Sequence, residues 1–392
     1  MFIERKVYKE LKEHLYKKQI TVLTGMRRTG KTTLVKQLLK DAESENKIYV
    51  DLERMDNREI FTEKNYDNIL RYFSERGLNA SKKMYIGIDE IQLAPETASV
   101  LKYLYDSYDI KFIVTGSSSY YLKNYFTESL SGRKKIFELF PLDFGEFLTF
   151  KGVSHKSRNY LNAEFPKAEY ARLKTYYEEF IRYGGFPEVV LSADAAFKKD
   201  LLSDIISSYI NIDIKILSDF RNDRNIYNLI KLLAGRIGTR LDYAKISRLT
   251  ELSRPTVQSY VDLFEKSYLI KRVSVLANRP DREIVKAQKL YFCDSGLANM
   301  LAELDSGAQF ENAVFNQLRV KGEIKYYSLK SGREIDFILD GVYAFEVKES
   351  PIEDDLRNLE DLAKTAGVDN VRLIGRHPVP KYANYIWGGE IK

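Results

Sequence analysis

The residues of this chain best equipped for chemistry are the run Gly25, Met26, Arg27, Arg28, Thr29, Gly30, Lys31, Thr32 and Thr33. Two glycines let a backbone curl so that successive N–H groups point inward at an anion. A lysine followed by a hydroxyl then sets a cation beside a metal ligand. This suits a triphosphate bound with Mg²⁺: Lys31 neutralises the β- and γ-phosphates, Thr32 holds the metal, and the loop amides take the remaining oxygens. A second set, Asp89-Glu90, places one carboxylate for the Mg²⁺ shell next to one that can polarise the attacking water. A third joins Asp336 and Glu346, two acids able to bind Mg²⁺, to Glu311 and Lys348. Two metal-binding acids and a lysine that orients or deprotonates water are what phosphodiester hydrolysis needs.

Each set requires elements to hold it. Ile20–Thr24 is an apolar strand, and an amphipathic helix follows the glycine-rich run. The strand, loop and helix together form the phosphate-cradling arrangement of nucleoside triphosphatases, with the positive helix end adding to the site. An ordinary strand-to-helix turn needs neither Lys31 nor Thr32. Met84–Asp89 is apolar on both faces, as a central parallel strand is. Lys111–Thr115 is a further strand, and at its tip Thr115 and Ser117 are candidates to sense the γ-phosphate, against the plainer reading of a serine-rich turn. Residues 47–52 and 135–139 complete five strands alternating with helical segments. The implied class is α/β, a parallel sheet covered on both faces with its ligand at the carboxyl ends of the strands.

Near the C-terminus, residues 332–339 and 343–348 read as a hairpin on which Asp336 and Glu346 converge. Glu346 and Lys348 are two apart and share a face. Glu311 lies on an amphipathic helix over 310–318. Between these regions, residues 160–220 read as lid helices. Residues 241–249 and 253–264 then form a helix pair, Ser253 capping the second. That pair has the look of a helix-turn-helix followed by a wing strand, 269–273, with Arg254, Thr256 and Gln258 outward on the recognition helix. Residues 226–275 hold nine Lys/Arg against four Asp/Glu, an excess of five that suits a DNA backbone. Packing against other domains without touching DNA is the alternative.

The chain has 392 residues, 44% hydrophobic and 30% charged, the balance of a globular protein of several domains. One cysteine, Cys293, excludes internal disulfides, and three histidines argue against a multi-histidine metal site. The charged start and the lack of a long apolar run argue against secretion and membrane insertion, so the expectation is a cytoplasmic protein without a membrane partner. A net charge of +6 permits a nucleic-acid partner without demanding one.

The set 25–32, Asp89-Glu90-Ile91-Gln92, Thr115-Gly116-Ser117-Ser118 and 141–147 resembles a family of archaeal and bacterial AAA+-type ATPases with a poorly characterised C-terminal region. The resemblance covers nearly the whole chain. It implies a P-loop ATPase core with sheet order 5-1-4-3-2 (residues 1–150), a helical lid (151–225), a winged helix (226–298) and a C-terminal α/β domain (299–392). It also brings two further candidates. Arg133 would be an arginine finger, in cis or from a neighbouring subunit, against the plainer reading of a surface arginine. Pro187, in Tyr183-Gly184-Gly185-Phe186-Pro187, resembles the Gly-x-Pro segment that meets the nucleotide in related ATPases, where a helix stop and start would look the same. The C-terminal acids resemble the restriction-endonuclease-like fold, whose helical Glu, Asp and Glu-x-Lys positions are filled by Glu311, Asp336, Glu346 and Lys348; Ile335 replaces the proline that often precedes the Asp. The expected cofactors are ATP and Mg²⁺. The expected function is ATP hydrolysis that gates C-terminal domains acting on DNA. The alternative is a nucleotide-driven switch that binds a protein partner and carries an inactive nuclease-like domain. The sequence leaves the oligomeric state open.

Overall fold

The structure, a computed structural model, describes residues 2–117, 130–156, 159–162, 165–215, 223–277, 283, 286–379 and 384–392. The chain divides into two compact units. The first comprises Met1–Phe140 with two later segments, Asp213–Asp219 and Lys266–Tyr268. The second comprises Pro141–Ile212, Phe220–Glu265 and Leu269–Lys392.

The first unit is built on five parallel strands: β1 (Ile20–Thr24), β2 (Lys47–Asp51), β3 (Met84–Asp89), β4 (Ile110–Gly116) and β5 (Lys134–Glu138). Their order is β2-β3-β4-β1-β5, the order implied by the resemblance. Every residue of β1, β3 and β4 is buried, while the edge strands β2 and β5 are partly exposed. The unbroken apolar runs of the central strands follow from helices covering both faces. Strand alternation sends Ile20, Val22, Phe112 and Val114 into one core and Leu23 and Ile113 into the other. On that second face lies α1 (Lys31–Asp41), which buries Leu34, Val35 and Leu38. Each such side chain contributes roughly 1.5–3 kcal/mol on burial. This anchors the helix whose first residues are Lys31 and Thr32.

In the second unit, helices α2 (Lys167–Tyr183), α3 (Pro187–Leu191) and α4 (Ala195–Ser208) precede α5 (Asp223–Ala234), α6 (Tyr243–Thr250) and α7 (Arg254–Lys266). The helix pair read from the sequence is thus α6 and α7. Asp242 caps α6 by accepting from the Lys245 amide, and Val257, Tyr260, Val261 and Phe264 are the buried stripe of α7. Strand β6 (Ile270–Val273) pairs antiparallel with β7 (Lys289–Phe292). The remaining strands are β8 (Ile324–Ser328), β9 (Glu334–Leu339), β10 (Tyr343–Lys348), β11 (Asn370–Gly375) and β12 (Tyr385–Trp387), in the order β12-β11-β10-β9-β8. Pairing is antiparallel at β8/β9 and β9/β10 and parallel at β10/β11 and β11/β12. Helix α8 (Ser306–Leu318) precedes β8, and α9 (Glu353–Ala366) connects β10 to β11.

The 28 tyrosines acquire a partial explanation here. Several bury the ring wholly or in part and bring the hydroxyl to a side-chain acceptor: Tyr8 to Asp41, Tyr49 to Asp89, Tyr177 to Gln317 and Tyr291 to Glu311. A buried carboxylate or amide is satisfied this way without a second charge.

Candidate functional site

At the end of β1 the chain turns through the glycine-rich run. Gly25 has φ +151°, and a Cβ there would lie 2.1 Å from the Leu139 carbonyl oxygen, so no other residue fits. The backbone then reaches α1 through Gly30, its N-cap. Within the loop the Thr29 hydroxyl donates to the Met26 carbonyl at 2.8 Å, and the Arg5 guanidinium donates to the Thr29 carbonyl at 2.9 Å. Lys31 is buried and donates from Nζ to the carbonyls of Gly25 (2.8 Å) and Met26 (3.0 Å). Burial pulls its pKa down, against the pull of Glu90, Asp213 and Asp89. Met26 is buried, Arg27 half-buried, and Arg28 and Thr33 exposed.

Asp89 ends β3 and gathers three hydroxyls. Its Oδ2 accepts from Thr32 Oγ1 at 2.6 Å and from Tyr49 at 2.7 Å, and its Oδ1 accepts from Thr115. The Thr115 hydroxyl also accepts from the Glu90 amide at 3.0 Å. Thr32 and Asp89 therefore meet as a hydroxyl–carboxylate pair at the start of α1, a hard-oxygen donor set that fits Mg²⁺. Glu90 has φ +55°, a left-handed backbone unusual for a side chain with a Cβ. Its carboxylate is held by the Gln92 amide, which also donates to Ser117 Oγ at 3.0 Å. Gln92 thus ties Glu90 to the sensor candidate at the tip of β4.

The sequence reading missed Asp213. This acid, only 3% exposed, lies in a π-helical turn, Tyr209–Ile214. Its Oδ1 accepts from Ser117 Oγ at 2.5 Å and from Arg27 Nε at 3.1 Å. Arg27 Nη1 also reaches Glu53 at 3.1 Å, and Nη2 lies 3.8 Å from Glu90. Burial raises the Asp213 pKa, and Arg27 opposes the rise. Asp213 Oδ2 and Arg27 Nη2 are buried without a hydrogen-bond partner. The available signal was weak: one acid in the apolar run 209–214.

One expectation changes. The Arg133 carbonyl accepts from the Ile20 amide at 2.8 Å, and Ile20 pairs with Lys134 whereas Thr24 pairs with Glu138. Arg133 is therefore at the opposite end of β1 from the phosphate loop, roughly 13 Å of strand away. Its guanidinium forks onto Asp106 at 2.9 and 3.0 Å. An arginine finger in cis is thus ruled out for Arg133. Pro187 opens α3 at its first turn. Before it, the Gly185 amide donates to Asp294 Oδ2 at 2.8 Å and the Gly185 carbonyl accepts from Leu142 at 2.7 Å. The second unit uses this segment as a helix junction pinned by a buried aspartate, whose pKa burial raises to about 6.

The C-terminal acids do come together. Phe345 pairs with Phe337 and Ala344 with Ile338, so the antiparallel register continues to set Glu346 opposite Asp336. Asp336 Oδ2 accepts from the Val347 amide at 2.9 Å, and Glu346 meets Lys348 Nζ at 2.8 Å. Glu311 accepts from the Tyr291 hydroxyl at 2.6 Å. Burial, reinforced by Asp336, pushes Glu311 up to about 7 and Glu346 up to about 8. The sequence reading also missed Lys289. This lysine, 1% exposed, brings Nζ to 2.8 Å from Glu334 and 3.6 Å from Asp336. Burial lowers its pKa, but Asp336, Glu311 and Glu334 outweigh that and raise it. Alternation in β7 was the usable signal, since it puts Lys289 and Tyr291 on one face. Among the described residues, no three or more His, Cys, Asp or Glu side chains are arranged to hold a metal ion. Ammonium groups face the acids instead, a donor set that does not fit a divalent ion as placed.

On α7, Arg254 and Gln258 are exposed and Thr256 is half-buried, its hydroxyl 2.7 Å from that of Ser253. Among the described residues no helix is long and apolar enough to cross a membrane.

Fold and loop together define a P-loop nucleotide-binding unit. Residues 17–148 match the family described as an AAA domain. Residues 174–308 and 306–380 match two families each described as a domain of unknown function. An uncharacterized protein of Methanocaldococcus jannaschii is 28% identical over 384 residues, covering 94% of this chain and 84% of its own length. One of Haemophilus influenzae is 29% identical over 364 residues, covering 87% and 86%. Among solved structures, the Aeropyrum pernix ORC1 protein in complex with DNA is similar over 77% of this chain and 92% of its own, at 14% identity and a TM-score of 0.33. The Aeropyrum pernix ORC2 protein in its ADP form covers 77% and 94% at 13% identity and a TM-score of 0.36. Residues 17–148 thus carry an AAA domain, and the chain beyond it matches families without assigned function.

Proposed function

We propose that this protein binds ATP with Mg²⁺, hydrolyses it, and uses its nucleotide state to gate how the second unit engages DNA. The observation carrying the reading is the Thr32–Asp89 pair beside buried Lys31, with Glu90 one residue on and tied through Gln92 to Ser117. The loop amides from Met26 to Thr33 and the Lys31 ammonium take the phosphates. Thr32 and Asp89 would hold Mg²⁺, which would supply charge neutralisation for the phosphates. Glu90 orients a water and draws off its proton, and Gln92 fixes the carboxylate for that task. Asp213 is a positioning residue: by taking Arg27 and Ser117 on one oxygen, it sets where both address the γ-phosphate.

Gating is supported by the chain path. The π-helical turn carrying Asp213 continues directly from α4 of the second unit. Any change at the γ-phosphate that moves Asp213 thus pulls on that helix. The second unit reads as a winged helix followed by a restriction-endonuclease-like sheet. A second reading, in which that sheet lacks nuclease activity and the units form a switch for a protein partner, is favoured by the Lys289 contacts with Glu334 and Asp336.

Two variants test the core. Glu90→Gln is expected to keep ATP binding and lose turnover by about 10²–10⁴-fold, and Lys31→Ala to lose both. Undiminished turnover in Glu90→Gln would remove the base from this residue. Stimulation of turnover by DNA separates the first reading from the second, and gel assays in Mg²⁺ or Mn²⁺ test cleavage directly.

A further inference from the structure

The second unit has a basic groove with no residue of α7 among its lining. It is an open cavity of about 880 Å³ walled by α5, α6 and the turn between them. Lys231, Arg236, Arg240 and Lys245 line it, with Asp242 the sole acid among its lining residues. That acid is occupied, since its carboxylate caps α6 on the Lys245 amide. Arg240 reaches Glu334 at 3.1 Å. Lys231, Arg236 and Lys245 form no salt bridge among the described residues, Lys245 feeling only the nearby Asp242 charge, and Arg236 Nε is buried without a hydrogen-bond partner. Four cations lining one groove with a single acid repel one another and favour a polyanion.

The groove leads to the carboxylate cluster. Arg240 bridges to Lys289 through the backbone, and the Gly238 amide donates to Leu290 at 2.9 Å. Gly238 also packs against the Glu311 carboxylate, 2.8 Å from where its Cβ would be. Glu334 is shared by Arg240, from the groove, and Lys289, from the cluster. Among the described residues, no aromatic side chain lines the groove. Single strands are held by stacking bases on aromatic rings, whereas duplexes are held through their phosphates. The lining chemistry is therefore that of a duplex backbone.

We propose that the second unit holds duplex DNA by its phosphates in this groove, through Lys231, Arg236, Arg240 and Lys245, and that the bound backbone runs toward Glu334 and Asp336. The proposal rests on the reading that this unit engages DNA, and it moves the main contact from Arg254, Thr256 and Gln258 on α7 to α5, α6 and the turn between them. Arg240 and Lys289 offset the acids at the far end, so the approaching phosphates are not repelled there.

The test uses the full chain and a fluorescent DNA duplex, with affinity measured by anisotropy over a range of salt. Lys231→Glu/Lys245→Glu changes two exposed side chains that form no salt bridge. It is expected to weaken binding by roughly tenfold or more and to lower the slope of log affinity against log salt by about 2, near 0.9 for each phosphate no longer neutralised. Lys231→Gln/Lys245→Gln should show a smaller loss in the same direction and guards against misfolding of the reversed variant. Unchanged affinity and slope in both, with the loss appearing instead in Arg254→Glu, would overturn the groove and leave the DNA reading standing. A wild-type chain that binds no duplex even at low salt would overturn both. Displacement of the duplex by polyglutamate as readily as by unlabelled DNA would assign the groove to acidic proteins and overturn the choice of DNA.

Discussion

Asp89 and Asp336 are both buried aspartates on strands of a sheet, and each sits among further acids. Their partners differ in kind. Asp89 accepts from the hydroxyls of Thr32, Tyr49 and Thr115. Asp336 accepts from a backbone amide and faces the Lys289 ammonium, while its neighbour Glu346 is paired with Lys348. Neutral donors satisfy lone pairs and leave the negative charge in place for a cation. Cationic donors cancel that charge, and a divalent ion must then compete with them. The same residue type thus makes a metal-ready site in the first unit and a charge-compensated one in the second.

The strongest way to break this contrast is Lys289→Met. Removing one partner of a buried charged cluster costs about 3–5 kcal/mol, so thermal unfolding should shift markedly downward. Added Mg²⁺ should restore part of the loss, because Glu311, Glu334 and Asp336 would then be short of a cation. A variant as stable as the parent, indifferent to Mg²⁺, would show that Lys289 does not compensate these acids. Next in size is Asp89→Asn, which keeps one accepting oxygen of nearly the same shape but removes the charge. Turnover should fall about 10²-fold or more, equivalent to roughly 2.7 kcal/mol, with the fold intact by circular dichroism. Equal damage from Asp336→Asn to ATP turnover would erase the distinction.

The contrast is sharpened by pH. Glu311 and Glu346 have native pKa values of about 7 and about 8, raised first by burial and then by Asp336. A carboxylate with a raised native pKa binds its proton more tightly when folded. Its contribution is full below the ordinary carboxylate range and is lost as pH climbs through the native values. Melting temperature should therefore fall between about pH 5 and pH 8, and Glu346→Gln should flatten that fall; an equally steep decline in the variant would place its origin elsewhere. The smallest effect expected is that of Asp213→Asn. It retains an oxygen for Ser117 and Arg27 but weakens the ion pair, so kcat should drop about tenfold, or 1.4 kcal/mol, with KM little changed. A larger effect on KM than on kcat would recast Asp213 as a binding group.

Legibility followed distance along the chain. The phosphate loop was readable because Gly25, Gly30, Lys31 and Thr32 lie within eight residues and between two locally patterned elements. Asp336, Glu346 and Lys348 were readable because a hairpin fixes their faces. The strand order came from family likeness, since periodicity carries no information about neighbours. Asp213 was not readable: it lies 186 residues from Arg27 and 96 from Ser117, and it sits in an apolar run that reads as helix. Lys289 was hidden by prejudice against burying lysine, which only the surrounding acids overcome. Arg133 was misplaced for a related reason. Its position just before a strand is local information, but which end of the sheet that strand begins at is not.

The first unit is not continuous in sequence. It closes only when Asp213–Asp219 and Lys266–Tyr268 return to Met1–Phe140. During synthesis, the five strands and α1 leave the ribosome long before Asp213 exists. Arg27 and Ser117 then have no shared carboxylate, and Arg27 has only Glu53 and Glu90 beside it. Phosphate binding by the nascent chain and by the finished protein therefore obeys different electrostatics, and a fragment ending near residue 150 would preserve the former rather than the latter.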